Sequence, residues 1–327
     1  MFDVKRRAMR VLFVLDPLEQ LQLETDTSLL LAEEFRRRGH ETWFATEAVF
    51  RVDHAGVFVR AWELHVAESG APHAGLEITA PVKDFTLVLM RQDPPVDAHY
   101  RFVAQALGFV AAEVAVVNDP ASVLQWNEKL LPLRFPAYCP PTIASHDPEE
   151  LLHFVRQEGT AVVKPLSDCS GRGIRIVDVA SAPSAIEAVL AAYPGEPVIV
   201  QRYLPEVARG DKRIFLANGQ FVGAVNRVPS GPGRLANIHQ GARVESTTLS
   251  EREREIVAVV GEFLQRQRLW LAGLDVIGGF LTEVNITSPS ALRQINAVTG
   301  EHLETMVVDI LEGLARDLSH RSRQLTV

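Results

Sequence analysis

The chain has 327 residues with 33 basic and 41 acidic side chains, a formal charge of −8, and is 47% hydrophobic. That length supports a large core in two or three domains, and the acidic balance leaves no general electrostatic footprint for nucleic acid or anionic lipid. Two cysteines exclude a disulfide scaffold or a Cys-rich zinc module, and 28 of the 33 basic residues are Arg, which singles out Lys5, Lys83, Lys129, Lys164 and Lys212.

The apolar run at residues 11–15 reads as a buried strand and is too short for a signal peptide. No stretch reaches the ~20 apolar residues of a membrane span. A soluble cytoplasmic protein with neither membrane nor nucleic-acid partners is therefore expected. A helix over residues 27–38 and a strand over 42–45 follow, and this strand–helix–strand opening argues for a parallel α/β layer. Residues 49–68 suggest a strand pair, 87–90 and 114–117 further strands, and 100–112 a helix. A short helix over 124–133 leads into a proline-rich linker at 136–141. Beyond it the expected order is helix 148–157, strand 161–164, a polar turn, strand 174–178, helix 182–192 and strand 198–201. Strands 213–216 and 221–225 are joined by Asn218-Gly219, a hairpin turn. Helix 251–266, strands 274–277 and 281–285, and helix 302–318 complete the chain.

Several nucleotide chemistries are excluded. There is no Gly-Lys dipeptide and hence no P-loop, the first strand runs into Asp16-Pro17-Leu18 instead of a GxGxxG turn, and HExxH and GxSxG are missing. The sharpest local pattern is Gly273-Leu274-Asp275-Val276-Ile277-Gly278-Gly279-Phe280-Leu281-Thr282-Glu283-Val284-Asn285. A two-residue turn at Gly278-Gly279 would send Asp275 and Glu283 to opposite faces. A three-residue loop would set them directly opposite each other, with Asn285 on the same face. Two such carboxylates repel unless a cation intervenes, and with an amide oxygen they form a hard donor set suited to Mg²⁺. The alternative is an exposed hairpin face with incidental acids.

Lys164 ends an apolar strand, where an unpartnered charge is costly, and the small polar residues 166–173 after it can fold over phosphates through backbone N–H groups. A surface hairpin with a solvated Lys at its base is the competing reading. Lys129, in Trp126-Asn127-Glu128-Lys129, reads by itself as a helix-surface lysine, and Lys212 as part of an ordinary turn.

Taken together these residues resemble the ATP-grasp superfamily, specifically bacterial-type glutathione synthetase. The similarity runs from Val11 to about Leu314, and its most specific segment is Met90-Arg91-Gln92-Asp93-Pro94-Pro95. It implies an α/β fold with α+β character in the nucleotide half. The implied domains are an N-terminal substrate-binding domain (1–122), a central ATP-grasp subdomain with the phosphate lid (123–203) and a C-terminal subdomain with the metal site (204–327). By position, Lys129, Lys164, Ser170, Gly171 and Arg213 would lie at the ATP phosphates. Gln201, Arg202, Tyr203 and Leu204 would form the adenine hinge, with Asp211 at the ribose. Asp275, Glu283 and Asn285 would hold two Mg²⁺ ions, with Mn²⁺ as a substitute. Arg227, Asn237 and Arg243 would line the reacting centre, and Asp26, Ser28, Arg91, Ser288, Pro289 and Ser290 would bind the peptide and amine substrates. The implied activity is ATP-dependent ligation of γ-glutamylcysteine to glycine through an acyl phosphate. A homo-oligomer is expected by the same resemblance.

Three segments depart from that pattern. Ser167-Asp168-Cys169-Ser170-Gly171 lacks two glycines of the lid. Asn237-Ile238-His239-Gln240-Gly241-Ala242-Arg243 carries a histidine typical of ligases that add glutamate to protein tails. Glu24-Thr25-Asp26-Thr27-Ser28 replaces a basic pair. These changes keep open a ligase for another peptide or amine, and a non-catalytic ATP-binding regulator.

Overall fold

A computed structural model of the protein describes residues 8–67, 70–168, 171–231 and 242–324, with side chains to residue 318. The first sheet is built from β1 (Arg10–Val14), β2 (Glu41–Ala45), β3 (Phe50–Asp53), β4 (Gly56–Val66), β5 (Pro72–Pro81), β6 (Leu87–Met90) and β7 (Ala115–Val117). Its strand order is β3-β4-β2-β1-β6-β7, with β5 paired to β4, and β2, β1, β6 and β7 run parallel. The continuous apolar strands are those enclosed on both faces, as a parallel layer requires: Val11 to Val14 are fully buried. Helix α1 (Thr27–Arg37) starts where the Asp26 carboxylate accepts from Leu29 N at 2.7 Å, and α2 (Ala98–Gly108) where Asp97 accepts from Tyr100 N at 2.9 Å.

Residues 49–68 were expected to give a strand pair. They give β3 and β4, and β4 is extended by the long outer strand β5, whose mostly exposed residues carry no buried stripe to mark it. The expected helix over 124–133 is broken in two. Asp119 caps α3 (Pro120–Gln125), with Pro120 in its first turn, and a separate single turn covers Leu131–Arg134. Between them the Asn127 side chain accepts from Lys129 N at 3.0 Å and Leu130 N at 3.3 Å, an alternative to the helical ladder.

The second sheet, in order β10-β9-β11-β8, contains β8 (Thr142–Ser145), β9 (Thr160–Pro165), β10 (Arg175–Asp178) and β11 (Val198–Arg202). With α4 (Pro148–Glu158) and α5 (Ala182–Ala192) it forms its own apolar cluster around Leu151, Val155, Ile186 and Val200. The third sheet has the order β14-β13-β12-β15-β16, with β12 (Asp211–Ala217), β13 (Gln220–Val228), β14 (Arg243–Ser246), β15 (Leu271–Ile277) and β16 (Phe280–Asn285). Helix α6 (Glu251–Arg266) opens with a capping box between Ser250 and Glu253, and α7 (Leu292–Thr299) and α8 (Glu304–Gln324) close the described chain. β8, β14 and α7 were not expected from the sequence; β8 is half-buried throughout and shows neither alternation nor a continuous apolar run.

The first and third sheets share apolar clusters. Asn118 fastens them together: its amide donates to Leu271 O (2.8 Å) and Ile286 O (2.6 Å) and accepts from Leu271 N (2.8 Å). Among the described residues no helix is long and apolar enough to cross a membrane.

Candidate active site

A cavity of about 550 Å³ lies between the second and third sheets. Its geometry starts from the β15–β16 hairpin. Gly278 and Gly279 both take positive φ (58° and 80°), which a two-residue turn demands, and Ile277 pairs with Phe280. Such a turn alone would separate the carboxylates. The register shifts by one residue between Val276↔Leu281 and Asp275↔Glu283, so Thr282 is an extra residue on β16. This bulge brings Asp275 opposite Glu283, with Asn285 on the same face. The three-residue loop is not used, and the bulge produces its result.

Asp275 is held by two arginines. Arg213, its partner in the β12–β15 register, donates through Nε (2.5 Å) and Nη2 (3.0 Å), and Arg227 Nη2 lies 3.0 Å from Asp275 Oδ1. Gly273 makes room for this: a Cβ there would stand 3.2 Å from Arg213 Cδ. Burial raises the Asp275 carboxyl, but the two guanidiniums outweigh it and hold the group below the ordinary carboxylate range. Asp211 accepts from Arg227 at 2.7 Å, yet burial, reinforced by the charges of Asp275 and Glu283, pushes its carboxyl up.

Both candidate phosphate lysines are buried, each 8% exposed. Lys164, on β9, donates to Gln201 Oε1 at 3.0 Å, and Gln201 donates in turn to Thr142 Oγ1 at 2.9 Å. Burial pulls the Lys164 ammonium down, Lys129 adds to this, and Glu283 opposes it. Lys129 is no helix-surface lysine. The Asn127 turn sends it inward, where its ammonium donates to the carbonyls of Leu166 (3.3 Å) and Asp168 and stands 3.7 Å from Glu283. Backbone carbonyls of the loop after β9 thus occupy the lysine. Asp168 anchors that loop, accepting from Tyr193 OH (2.6 Å) and Arg172 Nε (2.7 Å).

Gly171, Gln201, Arg202, Tyr203, Leu204, Asp211, Arg213, Arg227, Asp275, Glu283, Asn285, Ser288 and Ser290 also line the cavity. Its apolar lining comes from Val162, Ile174, Ile176, Leu204, Val207 and Ile277. Arg91 and Asp26 line an adjoining cavity. Ser28 and Pro289 line neither; Ser28 Oγ and Pro289 O accept from Arg91 at 3.0 and 2.8 Å and hold it in place. Arg243 is not brought to the cavity either: at the start of edge strand β14 its side chain is 72% exposed and paired with Glu245 at 2.6 Å. Ser170, Asn237 and His239 lie outside the described residues.

Glu128 was missed by the sequence reading. Its Oε1 accepts from Ile286 N (2.6 Å), Thr287 N (2.9 Å) and Thr287 Oγ1 (2.9 Å), and its carbonyl accepts from Val284 N (3.0 Å). Burial, with Glu283 nearby, pushes its carboxyl up. The only signal in the sequence was an acid directly before Lys129.

The donor chemistry of Asp275, Glu283 and Asn285 fits a hard divalent cation. The Asn285 Nδ2 is engaged by Gly273 O (3.2 Å) and Asp275 Oδ2 (3.4 Å), which leaves the amide oxygen as the ligand atom.

A cavity roofed by a four-stranded antiparallel sheet and floored by paired carboxylates, with two buried lysines between, defines an ATP-grasp ligase. Structural neighbours agree on this fold: a RimK-domain ATP-grasp protein from Sphaerobacter thermophilus (TM-score 0.61, 19% identity, 92% of this chain and 98% of that one) and the D-cycloserine synthetase DcsG (TM-score 0.64, 16% identity, 94% and 99%). Two family profiles match, "Prokaryotic glutathione synthetase, N-terminal domain" over residues 9–123 and "Prokaryotic glutathione synthetase, ATP-grasp domain" over 128–300. Glutathione synthetases of Mesorhizobium japonicum (36% identical, 93% of this chain, 98% of that protein) and Prochlorococcus marinus (38%, 92% and 97%) are among its relatives. The chain belongs to the prokaryotic glutathione synthetase family and is an ATP-dependent peptide ligase.

Proposed function

We propose that the chain ligates γ-glutamylcysteine to glycine, with the residues named above in these roles. The observation that carries the reading is the bulge-set pair Asp275 and Glu283 lining one cavity together with the buried Lys129 and Lys164. The apolar lining beside 201–204 takes the adenine. Asp211 lies toward the ribose, and Lys129, Lys164 and Arg213 meet the phosphates. For Lys129 to do so, its hydrogen bonds to the lid carbonyls must be exchanged for phosphate oxygens. The γ-phosphoryl group passes to the peptide carboxylate, ADP is left, the neutral amine attacks the acyl phosphate, and phosphate departs. Arg227, fixed by two carboxylates, stabilises the oxyanion; Arg243 joins it only by leaving Glu245, and Asn237 belongs to the same centre by resemblance. Asp275, Glu283 and Asn285 would hold two Mg²⁺ ions, replaceable by Mn²⁺, which supply charge neutralisation at the transferring oxygens. The reading includes division of the chain at 122/123 and 203/204, a cytoplasmic setting and a homo-oligomeric assembly. The test is phosphate release from ATP with γ-glutamylcysteine and glycine, added singly and together. Release that requires both supports the reading, and release with neither alone nor both overturns it.

A further inference from the structure

β16 is the last strand in the order of the third sheet, so one of its edges has no strand beside it. The segment between Glu128 and Tyr138 covers that edge instead. Tyr138 O accepts from Leu281 N at 2.8 Å, Glu128 O from Val284 N at 3.0 Å and Glu128 Oε1 from Ile286 N at 2.6 Å. The spacing of these bonds carries information about register. In a regular antiparallel strand every second N–H turns to the same edge, so Leu281 would be followed by Glu283 and Asn285. Here it is followed by Val284 and Ile286, and the change of phase falls where Thr282 is the extra residue. The covering segment therefore fits β16 in its bulged register and not in the regular one.

One side chain joins the covering segment to the hairpin tip. Arg252, exposed in the first turn of α6, donates through Nε to Gly279 O and through Nη2 to Ala137 O, both at 2.8 Å. Its guanidinium stands 5.4 Å from the ring centroid of Tyr138 and 5.5 Å from that of Phe280, within reach of a cation–π contact with each. Gly279 permits the approach, since a Cβ there would lie 3.1 Å from Arg252 Cδ. Both hydrogen bonds end on backbone oxygens, so they respond to the course of the two segments and not to the identity of a partner side chain. The carbonyl that receives Leu281 N belongs to Tyr138, directly after Ala137.

We propose that Arg252 is a positioning residue for the cation-facing set: by holding residues 137–138 against the hairpin tip it keeps β16 bulged, and with it Glu283 opposite Asp275. This rests on the assignment of Asp275, Glu283 and Asn285 as cation donors in the reading above, and it adds a residue that does not line the cavity. The residue type suits the task. A guanidinium offers donors in a fixed fork for two carbonyls and a flat face for the rings, whereas an ammonium is a single point charge. A regular β16 would forfeit the bonds from Val284 and Ile286 to Glu128, so the register and its cover hold each other.

The experiment reads metal and register separately in the full-length protein. Mn²⁺ affinity is measured from the spin-resonance signal of the free ion with a non-hydrolysable ATP analogue present, so no turnover is needed. Amide hydrogen exchange at Leu281 and Val284 is measured without ligands. For Arg252→Ala the expected result is Mn²⁺ binding weaker by at least about tenfold, the scale on which supports of metal ligands act. Exchange at the two amides should quicken while the amides of β12 and β13 keep their protection. Arg252→Lys, which can make one of the two bonds, should fall between. Unchanged Mn²⁺ affinity in Arg252→Ala overturns the proposal, and so does a loss of protection shared by β12 and β13, which marks general destabilisation. If the wild-type protein holds no more Mn²⁺ than the analogue alone, the cation reading fails; selective exchange at 281 and 284 would then still establish the clamp on register.

Discussion

Arg213 grips both oxygens of Asp275, at 2.5 and 3.0 Å, from the directly opposite position on the neighbouring strand. The pair is buried, and removing one member of a buried pair strands the other charge. Arg213→Met should lower stability by about 3 kcal/mol, the low end for such a break, because Arg227 still reaches Asp275. Adding Asp275→Asn should recover part of this loss. Chemical denaturation of the two single variants and the double variant checks it.

The same cluster sets opposite pH dependences. Asp275 is held low, so its contribution is present above the ordinary carboxylate range, ~4, and is lost as pH falls through its folded-state value. Asp211 is pushed up, so folding favours its protonated form, and its contribution is lost as pH rises from the carboxylate range toward neutrality. Relative to wild type, Asp211→Asn in the ligand-free protein should become progressively more stable over that rise, by at most ~1.4 kcal/mol per pH unit. Melting curves from pH 4 to pH 7.5 measure the difference, and a parallel offset at all pH values would refute it.

Glu283→Gln removes one of the two opposed acids without changing shape. Ligation should fall by at least about 100-fold with the fold intact, because charge at the transferring oxygens is the main lever in phosphoryl transfer. Turnover is measured against Mg²⁺ concentration, and a normal rate at saturating Mg²⁺ contradicts the metal role.

Lys164→Arg keeps the charge and changes its form. The ammonium sits 3.0 Å from Gln201 Oε1 in a buried position that the larger, planar guanidinium cannot share. The expected loss in kcat/KM for ATP is about 100-fold; a near-normal value would make Lys164 a bystander.

Glu128 ties the turn carrying Lys129 to the backbone at 286–287, directly before Ser288 and Ser290. Glu128→Ala should therefore raise KM for both ATP and the peptide, while Glu128→Gln, which retains an acceptor oxygen, should recover most of the loss. Steady-state kinetics with each substrate varied in turn distinguish this from simple instability, which would lower active enzyme without moving either KM.

Local signals carried much of the architecture. Helices 182–192 and 251–266 have the boundaries expected of them; the start of the second is fixed by the capping box between Ser250 and Glu253, three residues apart. The turn at 218–219 was equally plain, because two left-handed residues in succession demand Gly or Asn, whereas at 278–279 a two-residue turn and a three-residue loop both stayed open. What escaped was set by distant partners. The inward course of Lys129 depends on one Asn side chain winning backbone N–H groups from a helix. The Asp168–Tyr193 anchor spans 25 residues and the Glu128–Ile286 bond 158, and neither leaves a spacing to read. Arg243 matched by position yet stands at a sheet edge, since a motif specifies order along the chain and not the direction of a side chain.

The Thr282 bulge makes the cation-facing set a matter of counting as much as of chemistry. Were Thr282 taken into the regular ladder opposite Asp275, the strand would still pair and its glycine turn would still close, but Glu283 and Asn285 would change sides together while Asp275 stayed in place. Loss of the bulge without loss of any residue would thus erase the site and keep every one of its ligand residues. A comparison of sequences that scored only residue identities would then report the site as present.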